Sequence, residues 1–535
     1  MRARHAPADG VHRLRFWCLL AHVSFGVACE PVWNRAQLQL ESDLGKWGAI
    51  ASGCFAQAGR VDLAVGAPAT NGLCKAFAFA PASVGDAEFL GQAPFWEHRG
   101  YGYLGDSGLE TGRNFGSYVL ALDVNGDGLD DLAVSDPRWT KYTGGDAGRV
   151  DVFTGPLGDE SQWAFEAPAT NWELGSVLAG GDVNGDGYDD LVVGAYRARG
   201  GGTAYAFYGS ARGLRAPRCT GTGRLADCVA SWSSTSDQYP PSSLAYFGSA
   251  MAVADIDGDG FADLIIGSYG WDPPGTSQYG KTGRMYAYSG SSSGLSAEPT
   301  FKWPSDAPAE ELIGAKIGYD ITAMGDVNGD GIEDIAVAAQ GYGLYGWQGA
   351  VFIFFGSEGG LPAQPSVTLE GPYDRVQYFG SWLHRGAVDI DGDSFMDLIV
   401  ASNKYLYIWR GGSAPSQEYL AVDPFYAEDT LYVATYGDRS GGRRLLALGD
   451  GTRVRLFEPG CLMTASVTAT DTGRWAETDT ADTATAPADT AGQNEADSAP
   501  PLHKQDWFWG MIGAMIGALS LLLGICKLVQ RKQSE

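Results

Sequence analysis

The chain has 535 residues, 44% of them hydrophobic, so it is long enough to bury several cores. Its 64 acidic residues outnumber its 37 Lys and Arg residues, which gives a formal net charge of −27. Because a surface of this sign repels phosphate groups, the composition excludes a nucleic acid from the expected partners.

Residues 1–28 are typical of a secretory signal peptide. A basic start precedes the apolar run 16–28, and Gly26-Val27-Ala28 supplies small residues for cleavage. An uncleaved anchor is the less favoured alternative, because the apolar run is too short to cross a bilayer. Cys29, directly after the cleavage site, raises a lipoprotein alternative, although such signals usually carry Leu where this chain has Gly26.

One sequence repeat occurs six times between about residues 35 and 460. Each copy has an apolar residue followed by glycine, such as Phe247-Gly248, and later an aspartate that opens an apolar strand, such as Asp263. The first copy keeps Trp47-Gly48 and the strand after Asp62 but lacks an acidic loop. The other five copies contain nine-residue acidic loops, which we name loops 1 to 5: residues 123–131, 182–190, 255–263, 326–334 and 389–397.

Each acidic loop offers side-chain oxygens at positions 1, 3, 5 and 9 and a main-chain carbonyl at position 7. Calcium takes six to eight oxygen ligands and no histidine stands in these loops, so we predict about five structural calcium sites rather than catalytic metal centres. Loop 5 has Ser394 where the other loops have glycine, so we expect the weakest site there. The predicted ligands are Asp123, Asn125, Asp127, Leu129, Asp131, Asp182, Asn184, Asp186, Tyr188, Asp190, Asp255, Asp257, Asp259, Phe261, Asp263, Asp326, Asn328, Asp330, Ile332, Asp334, Asp389, Asp391, Asp393, Phe395 and Asp397.

A repeat of this size, with several short strands in each copy, predicts a solenoid or a propeller. Residues 36–41 alternate as one lone strand before the first copy, and residues 431–436, 444–448 and 452–457 read as three strands after the last copy. One strand and three strands together complete a four-stranded blade. We therefore predict an all-β fold over residues 30–461, a seven-bladed propeller whose ring is closed by its N-terminal strand.

Six cysteines lie between the signal peptide and the C-terminal apolar segment, and an even number in an exported chain favours disulfides. The sequence allows 15 pairings. The pairs we favour are Cys54–Cys74 in the first copy, Cys219–Cys228 within one loop, and Cys29–Cys461 where the two ends of the ring would meet.

The composition changes after residue 461. Residues 462–506 are rich in Thr, Ala and Asp, which predicts a disordered stalk. Residues 507–526 carry no charge and basic residues follow them, so we predict one transmembrane helix, with the propeller outside the cell membrane (or at a bacterial surface or periplasm) and the tail 527–535 in the cytoplasm. Gly513 and Gly517 suit a helix-mediated dimer, or they reflect the ordinary glycine content of a membrane helix.

Aromatic and basic residues follow the strands on the side away from the acidic loops. Such residues dominate binding hot spots, so we predict a ligand-binding face there. The alternative is that these rings pack over glycine-rich turns and seal the ring. The predicted ligand-binding residues are Arg138, Trp139, Tyr142, Tyr196, Arg197, Tyr269, Trp271, Tyr342, Tyr345, Trp347 and Tyr405.

A catalytic role is not indicated. The segment 290–294 matches the G-x-S-x-G pattern of a nucleophile elbow, but Gly-Ser segments at 209–214 and 356–361 occupy equivalent positions of other copies. We therefore interpret segment 290–294 as a hairpin turn and predict that the chain is not an enzyme.

The combination of Phe115-Gly116, an acidic loop and the triplet Gly66-Ala67-Pro68 resembles the FG-GAP repeats of the integrin alpha-subunit head, a seven-bladed propeller. The resemblance covers about residues 35–460 and implies ligand and partner contacts on the aromatic face. The chain departs from that family in three ways: no domain is inserted between the second and third copies, a stalk replaces the leg domains, and it has more acidic loops. These departures argue against pairing with a beta-type partner chain.

Taken together, the sequence predicts a single-pass receptor or adhesion protein that binds an extracellular protein or glycan. A carbohydrate-binding or carbohydrate-processing propeller is one alternative, and a structural protein displayed at the cell surface is another.

Overall fold

The chain divides into two units, residues 1–475 and 476–535, and all residues described by the computed structural model lie in the first. The 3-10 helix Glu310–Leu312 is the only helix that these residues form, and it is too short to cross a membrane. The predicted signal peptide, transmembrane helix and tail lie outside the described residues, and so does the predicted disordered stalk 462–506, except for residues 467–468, which form a short strand. The residues that the structure describes are 33–35, 50–58, 62–68, 74–80, 94–100, 114–140, 145–215, 218–219, 228–237, 245–274, 281–343, 348–372, 378–402, 406–422, 432–437, 444–449, 454–457 and 467–468.

Four-stranded antiparallel sheets recur along the chain, and in all but the last of them the strands pair in sequence order. The first strand, β1 (Trp33–Arg35), belongs to the last of these sheets. The first four sheets are sheet A, with β2 (Ile50–Gly53), β3 (Asp62–Ala67), β4 (Lys75–Phe79) and β5 (Trp96–Arg99); sheet B, with β6 (Val119–Leu122), β7 (Asp131–Asp136), β8 (Arg149–Phe153) and β9 (Trp163–Glu166); sheet C, with β10 (Leu178–Gly181), β11 (Asp190–Ala195), β12 (Thr203–Phe207) and β15 (Trp232–Thr235), the short strands β13 (Arg218–Cys219) and β14 (Cys228–Val229) pairing separately; and sheet D, with β16 (Phe247–Ala254), β17 (Asp263–Ser268), β18 (Arg284–Tyr288) and β19 (Phe301–Trp303).

Three further sheets complete the set. Sheets E and F continue the same order, and F has a fifth strand. They are sheet E, with β20 (Ile317–Gly325), β21 (Asp334–Ala339), β22 (Ala350–Phe354) and β23 (Val367–Glu370); sheet F, with β24 (Trp382–Leu383), β25 (Leu398–Ala401), β26 (Leu406–Trp409), β27 (Tyr419–Val422) and β31 (Val467–Thr468); and sheet G, with β28 (Tyr432–Gly437), β29 (Arg444–Gly449), β30 (Val454–Phe457) and β1.

The second strand of each sheet explains why the sequence folds this way. In sheets A to E this strand has six residues, begins with the closing Asp of its repeat and is buried along its whole length. A strand that is covered on both faces has an unbroken apolar run instead of an alternating pattern. Runs such as Leu264-Ile265-Ile266 therefore indicate that each sheet is packed between two neighbours.

Hydrophobic cores lie between consecutive sheets. Five clusters of buried side chains join A to B, B to C, C to D, D to E and E to F. The first strands of these sheets contact each other in chain order, and β28 contacts β2. A cavity of about 310 Å³ lies among the first strands of sheets A to E and residues 382–401 of sheet F. Repeated sheets that pack face to face in this way are consistent with a propeller.

Sheet G joins the two ends of the repeat region. Its three C-terminal strands lie within a residue or two of the predicted ones, and β1 pairs with β30. The N-terminal strand differs from the prediction, because it is formed by Trp33–Arg35, whereas the predicted residues 36–41 lie outside the described part of the chain.

The predicted Cys54–Cys74 disulfide is wrong. Cys54 follows Gly53, which pairs with Asp62, the first residue of β3, whereas Cys74 precedes Lys75, which pairs with Ala67, the last residue of β3. Five strand steps of about 3.3 Å separate these ends, roughly 17 Å, while a disulfide needs α-carbons within about 7 Å. Cys54 accordingly has a free thiol.

The backbone register of the second cysteine pair, unlike that of the first, is compatible with a disulfide. Cys219 and Cys228 are direct partners across β13 and β14. Opposed residues of an antiparallel pair have α-carbons about 4.5–5.5 Å apart, which suits a disulfide. The Cys219–Cys228 bond stays a prediction, and the partners of the third predicted pair, Cys29 and Cys461, lie outside the described residues.

Candidate metal loops and recognition surface

The first aspartate of each acidic loop organises the backbone of the loop. In loop 3 the Asp255 carboxylate accepts hydrogen bonds from the amides of Gly258 (2.7 Å), Asp259 (3.2 Å) and Gly260 (2.9 Å). Both glycines have positive φ, 71° and 88°, which glycine adopts without strain. The same wrapping occurs in loops 1, 2, 4 and 5. The sequence pattern therefore produces a tight turn with its carboxylates on the inside.

The closing aspartate is buried and ties the loop to its sheet. One carboxylate oxygen of Asp263 accepts from Ile256 N at 3.1 Å, and the other accepts from Gly290 N at 2.8 Å. Burial, aided by the carboxylates of Asp257 and Asp259, raises the pKa of Asp263 to about 7. The closing residues of the other four loops make the same two bonds.

The first repeat shows that the closing aspartate also has a role without a metal loop. Asp62 is fully buried, and its carboxylate accepts a hydrogen bond from Ala56 N at 3.2 Å. This copy has lost the acidic loop but keeps the backbone contact of its closing residue. The closing aspartate is therefore a structural residue as well as a candidate ligand.

Three of the predicted ligand positions converge. In loop 3, single carboxylate oxygens of Asp255, Asp257 and Asp263 all lie within 4.8 Å of one another, and loop 5 brings together its equivalents, Asp389, Asp391 and Asp397. Position 5 is not part of these clusters and instead accepts a hydrogen bond from the amide at position 7. Clustered carboxylates with only oxygen donors fit a hard divalent cation.

Loop 2, which has asparagine at position 3, follows the same plan. In loop 2 the Asn184 amide lies 3.4 Å from the Asp190 carboxylate, which places position 3 beside position 9 there as well. Loop 5 has two features that are unfavourable for a cation site. Ser394 has a φ of 78°, which is strained for a residue with a Cβ, and Arg410 lies 3.5 Å from the candidate ligand Asp391.

The G-x-S-x-G segment is a turn, as predicted. It connects β18 to β19, and the Ser291 hydroxyl donates a hydrogen bond to the carbonyl of Gly294 at 2.8 Å. The equivalent serines at 210 and 357 bond to Gly213 and Gly360 in the same way. No helix follows the serine, so the geometry is not that of a nucleophile elbow.

A row of aromatic side chains lies near the C-terminal ends of the second strands, which are the ends away from the acidic loops. We call it the tyrosine row: Tyr196, Tyr246, Tyr269 and Tyr319. Successive ring centroids are 5.7, 4.6 and 5.3 Å apart, so the row crosses sheets C, D and E. Since Tyr196 and Tyr269 follow six-residue strands that begin at closing aspartates, the row lies on the edge away from the acidic loops.

A charged pair flanks the tyrosine row. Arg197, whose side chain is 48% exposed, contacts Glu173 at 2.7 Å, and the Tyr196 hydroxyl donates to Glu173 at 2.5 Å. Burial, followed by the hydrogen bond to Glu173, raises the pKa of the Tyr196 hydroxyl above its usual range.

Sequence reasoning missed three residues of this surface. Tyr196, Arg197 and Tyr269 were predicted, whereas Glu173, Tyr246 and Tyr319 were not. A weak signal exists: Glu173 and Tyr246 directly precede the apolar-Gly pairs of their repeats, and both have positive φ, 50° and 59°. Such residues point their side chains where the regular strand would not, but the sequence alone does not disclose φ.

Other predicted ligand-binding residues are placed differently. Trp139 and Trp271 are only 8% and 2% exposed and pack against Arg149 and Arg284, with the guanidinium 5.7 and 3.4 Å from the ring centre. Rings buried to this extent offer little surface to a ligand, so their placement favours the sealing alternative for these two residues, and their contact with a ligand stays a prediction. Arg138 is exposed, and Tyr342 is half-buried with its hydroxyl 3.3 Å from Glu370. Outside the described residues lie Tyr142, Tyr345, Trp347 and Tyr405.

Comparison with known proteins agrees with the repeat geometry. The family model described as FG-GAP repeat matches residues 115–153, 174–207, 247–288 and 319–354, which contain loops 1 to 4 and the first three strands of sheets B to E except the first two residues of β20. The fold and the loops thus define a protein built from FG-GAP repeats.

The similarity extends to one group of such proteins. The chain is 37% identical over 163 residues to "Integrin alpha-IIb" of Mus musculus, 34% over 161 residues to "Integrin alpha-4" of Xenopus laevis, and 35% over 178 residues to "Integrin alpha-PS2" of Drosophila melanogaster. The alignments cover 30–31% of this chain and 12–15% of the relatives, so the chain matches only a small part of their length. Over the matched residues, the chain contains FG-GAP repeats and is similar to integrin alpha chains.

Proposed function

We propose that the chain is a single-pass cell-surface receptor or adhesion protein that binds an extracellular ligand through a calcium-stabilised propeller. The observation that carries this proposal is the half-buried tyrosine row, with the exposed Arg197 beside it, on a scaffold similar to part of several integrin alpha chains. The proposal assigns no chemical reaction to the chain.

The propeller in this proposal has seven blades, sheets A to G, arranged in a closed ring. Support comes from sheet G, which combines the N-terminal strand with three C-terminal strands, and from the contact between β28 and β2. A ring that closes in this way leaves no long sheet edge exposed and holds its two termini together.

Calcium is the cation proposed for the acidic loops, with about five sites. The converging carboxylates of loops 3 and 5 support it, and the weak affinity of extracellular calcium modules, about 10⁻⁴ to 10⁻³ M, suits calcium levels outside cells. Bound calcium would neutralise clustered carboxylates that otherwise repel each other, so it would stabilise the edge of the propeller away from the tyrosine row.

The proposed ligand contacts are the side chains of the tyrosine row and Arg197. Aromatic rings give large contact areas at small entropic cost, and an exposed guanidinium offers several hydrogen-bond donors. A glycan is the second candidate ligand, because Glu173 places a carboxylate outside the metal loops beside a row of rings. A beta-type partner chain stays doubtful, since the matched region is a small part of the relatives.

A cell-attachment assay tests the proposal. Cells displaying the full-length chain are applied to arrays of extracellular matrix proteins and glycans, in calcium and in chelator. We expect calcium-dependent attachment to a defined protein or glycan that the double variant Arg197→Ala, Tyr269→Ala reduces at least tenfold. Arg212→Ala is the matched control, because this exposed arginine lies in the 209–214 turn on the acidic-loop side. Attachment that the double variant and Arg212→Ala affect equally would refute the proposed surface, and attachment to no ligand would refute the receptor function.

A further inference from the structure

Neighbouring acidic loops are in direct contact through their backbones. The amide at position 8 of each loop donates to the carbonyl at position 1 of the preceding loop, at 3.0 Å for loops 1 and 2, 3.2 Å for loops 2 and 3, 3.2 Å for loops 3 and 4, and 3.3 Å for loops 4 and 5. The residue at position 1 is a candidate metal ligand, and the residue at position 8 lies between the candidate ligands at positions 7 and 9. Each candidate site therefore touches the next one.

Two of these four contacts have a second, charge-assisted bond. The carboxylate of Asp189, at position 8 of loop 2, accepts from Asp123 N at 2.8 Å, and that of Glu333, in loop 4, accepts from Asp255 N at 2.8 Å. The other two contacts lack it, because position 8 is Ala262 in loop 3 and Met396 in loop 5. The chain thus contains matched linked and unlinked pairs of loops.

Side-chain packing adds a further connection. The position-7 side chain of each later loop lies over the position-4 glycine of the loop before it: Tyr188 over Gly126, Phe261 over Gly185, Ile332 over Gly258 and Phe395 over Gly329. A Cβ on Gly126 or Gly185 would come within 2.8 or 2.6 Å of the neighbouring ring. Ordering one loop therefore restricts the backbone of the next.

We propose that the acidic loops bind cations in coupled pairs, loops 1 and 2 and loops 3 and 4, through the acidic side chain at position 8. When an ion orders loop 4, it fixes Ile332 and Asp334 on either side of Glu333, and Glu333 then holds the backbone of Asp255, a ligand of loop 3. The reverse also follows, because coupling between two binding sites is reciprocal. Loops 2 and 3, which share the backbone bond and the packing of Phe261 over Gly185 but lack the acidic bond at position 8, are coupled less. This inference rests on the proposed calcium binding.

Hydrogen exchange read by mass spectrometry reports each loop separately. The full-length chain is titrated with calcium, and the midpoint of protection is measured for the peptides that contain loops 2, 3 and 4. Asp257→Ala removes a position-3 ligand from loop 3. We expect it to raise the calcium midpoint of loop 4 at least fivefold, the lower end of ordinary coupling, and that of loop 2 less than twofold. Asn328→Ala in loop 4 should raise the midpoint of loop 3 by the same factor.

Variants of Glu333, at position 8 of loop 4, test whether this acidic side chain causes the coupling. Glu333→Ala gives loop 4 an alanine at position 8, as loop 3 already has. In that background, Asp257→Ala should no longer shift the calcium midpoint of loop 4. Glu333→Gln keeps a hydrogen-bond acceptor and should retain most of the coupling. Glu358→Ala removes an exposed charge from the turn of the same sheet and should change nothing.

The outcomes separate the two proposals. Equal shifts in loops 2 and 4, no shift in either, or a shift that survives Glu333→Ala would each overturn the coupling while leaving calcium binding intact. If calcium protects no loop in the unmodified chain, the calcium sites and the coupling both fail. Because Asp257 accepts only an amide bond in a partly exposed loop, its variant should fold, and Asn328→Ala provides an independent check.

Discussion

The closing aspartate and the position-3 aspartate should respond differently to calcium. Asp263→Ala removes the acceptor for two amides, those of Ile256 and Gly290, and Asp263 is only 1% exposed. Each buried donor left without a partner costs about 1–3 kcal/mol, so the variant should lose roughly 2–6 kcal/mol of unfolding free energy even in chelator. Asp257, by contrast, accepts one hydrogen bond, from Asp259 N at 3.2 Å in the exposed turn.

Asp257→Ala should therefore cost less than about 0.5 kcal/mol in chelator, as an ordinary surface change does. In calcium it should lose the stabilisation that the ion gives loop 3, because mass action stabilises only a chain that binds the ion. Urea unfolding of the full-length chain, with and without calcium, measures both variants. The reasoning is refuted if Asp263→Ala costs less than about 1 kcal/mol in chelator, or if the two variants lose equal stability under both conditions.

Three further predictions concern the packing, the cysteines and the acid response. Trp271→Ala removes a buried ring and should cost about 3–5 kcal/mol in urea unfolding; a loss below about 1 kcal/mol would contradict its placement in the core. Peptide mapping without reductant should recover Cys219 linked to Cys228, and recovery of both as free thiols would disprove that pair. Burial alone would raise the pKa of Asp237, but hydrogen bonds from Tyr286 and Lys302 outweigh it and lower the pKa. The stability that Asp237 contributes is therefore present at neutral pH and is lost as the pH falls through the lowered pKa of the folded state. Asp237→Asn should be less stable than the unmodified chain at pH 7, and the two should become equally stable in acid. A stability difference that does not change with pH would count against this prediction.

Local patterns predicted the repeated unit correctly. The acidic loops, the apolar strands after them and the turns at 209–214, 290–294 and 356–361 all form where their residues indicate, because each depends on contacts within a few positions of the chain. The closing aspartate of each repeat was visible for the same reason. The strained turn of loop 5 was also readable, since Ser394 occupies a position whose φ of 78° suits glycine; the weaker cation site expected there stays a prediction.

Contacts between sheets were not predictable in the same way. Tyr196, Tyr246, Tyr269 and Tyr319 are far apart in sequence, and only the packing of sheets C, D and E places their rings side by side. Burial of Trp271 depends on Arg284, which arrives from another strand. An aromatic residue after a strand has the same local sequence whether it faces solvent or a neighbouring sheet.

The sequence by itself therefore determined the repeat, its candidate cation loops and its strand order, because hydrogen-bonded turns and buried strands are encoded by neighbouring residues. Tertiary structure alone decided which aromatic residues form a surface, that Cys54 and Cys74 stand at opposite ends of β3, and that Glu333 of one loop holds Asp255 of another. These contacts join residues from different strands or different repeats, so they exist only after the sheets have formed and packed against each other.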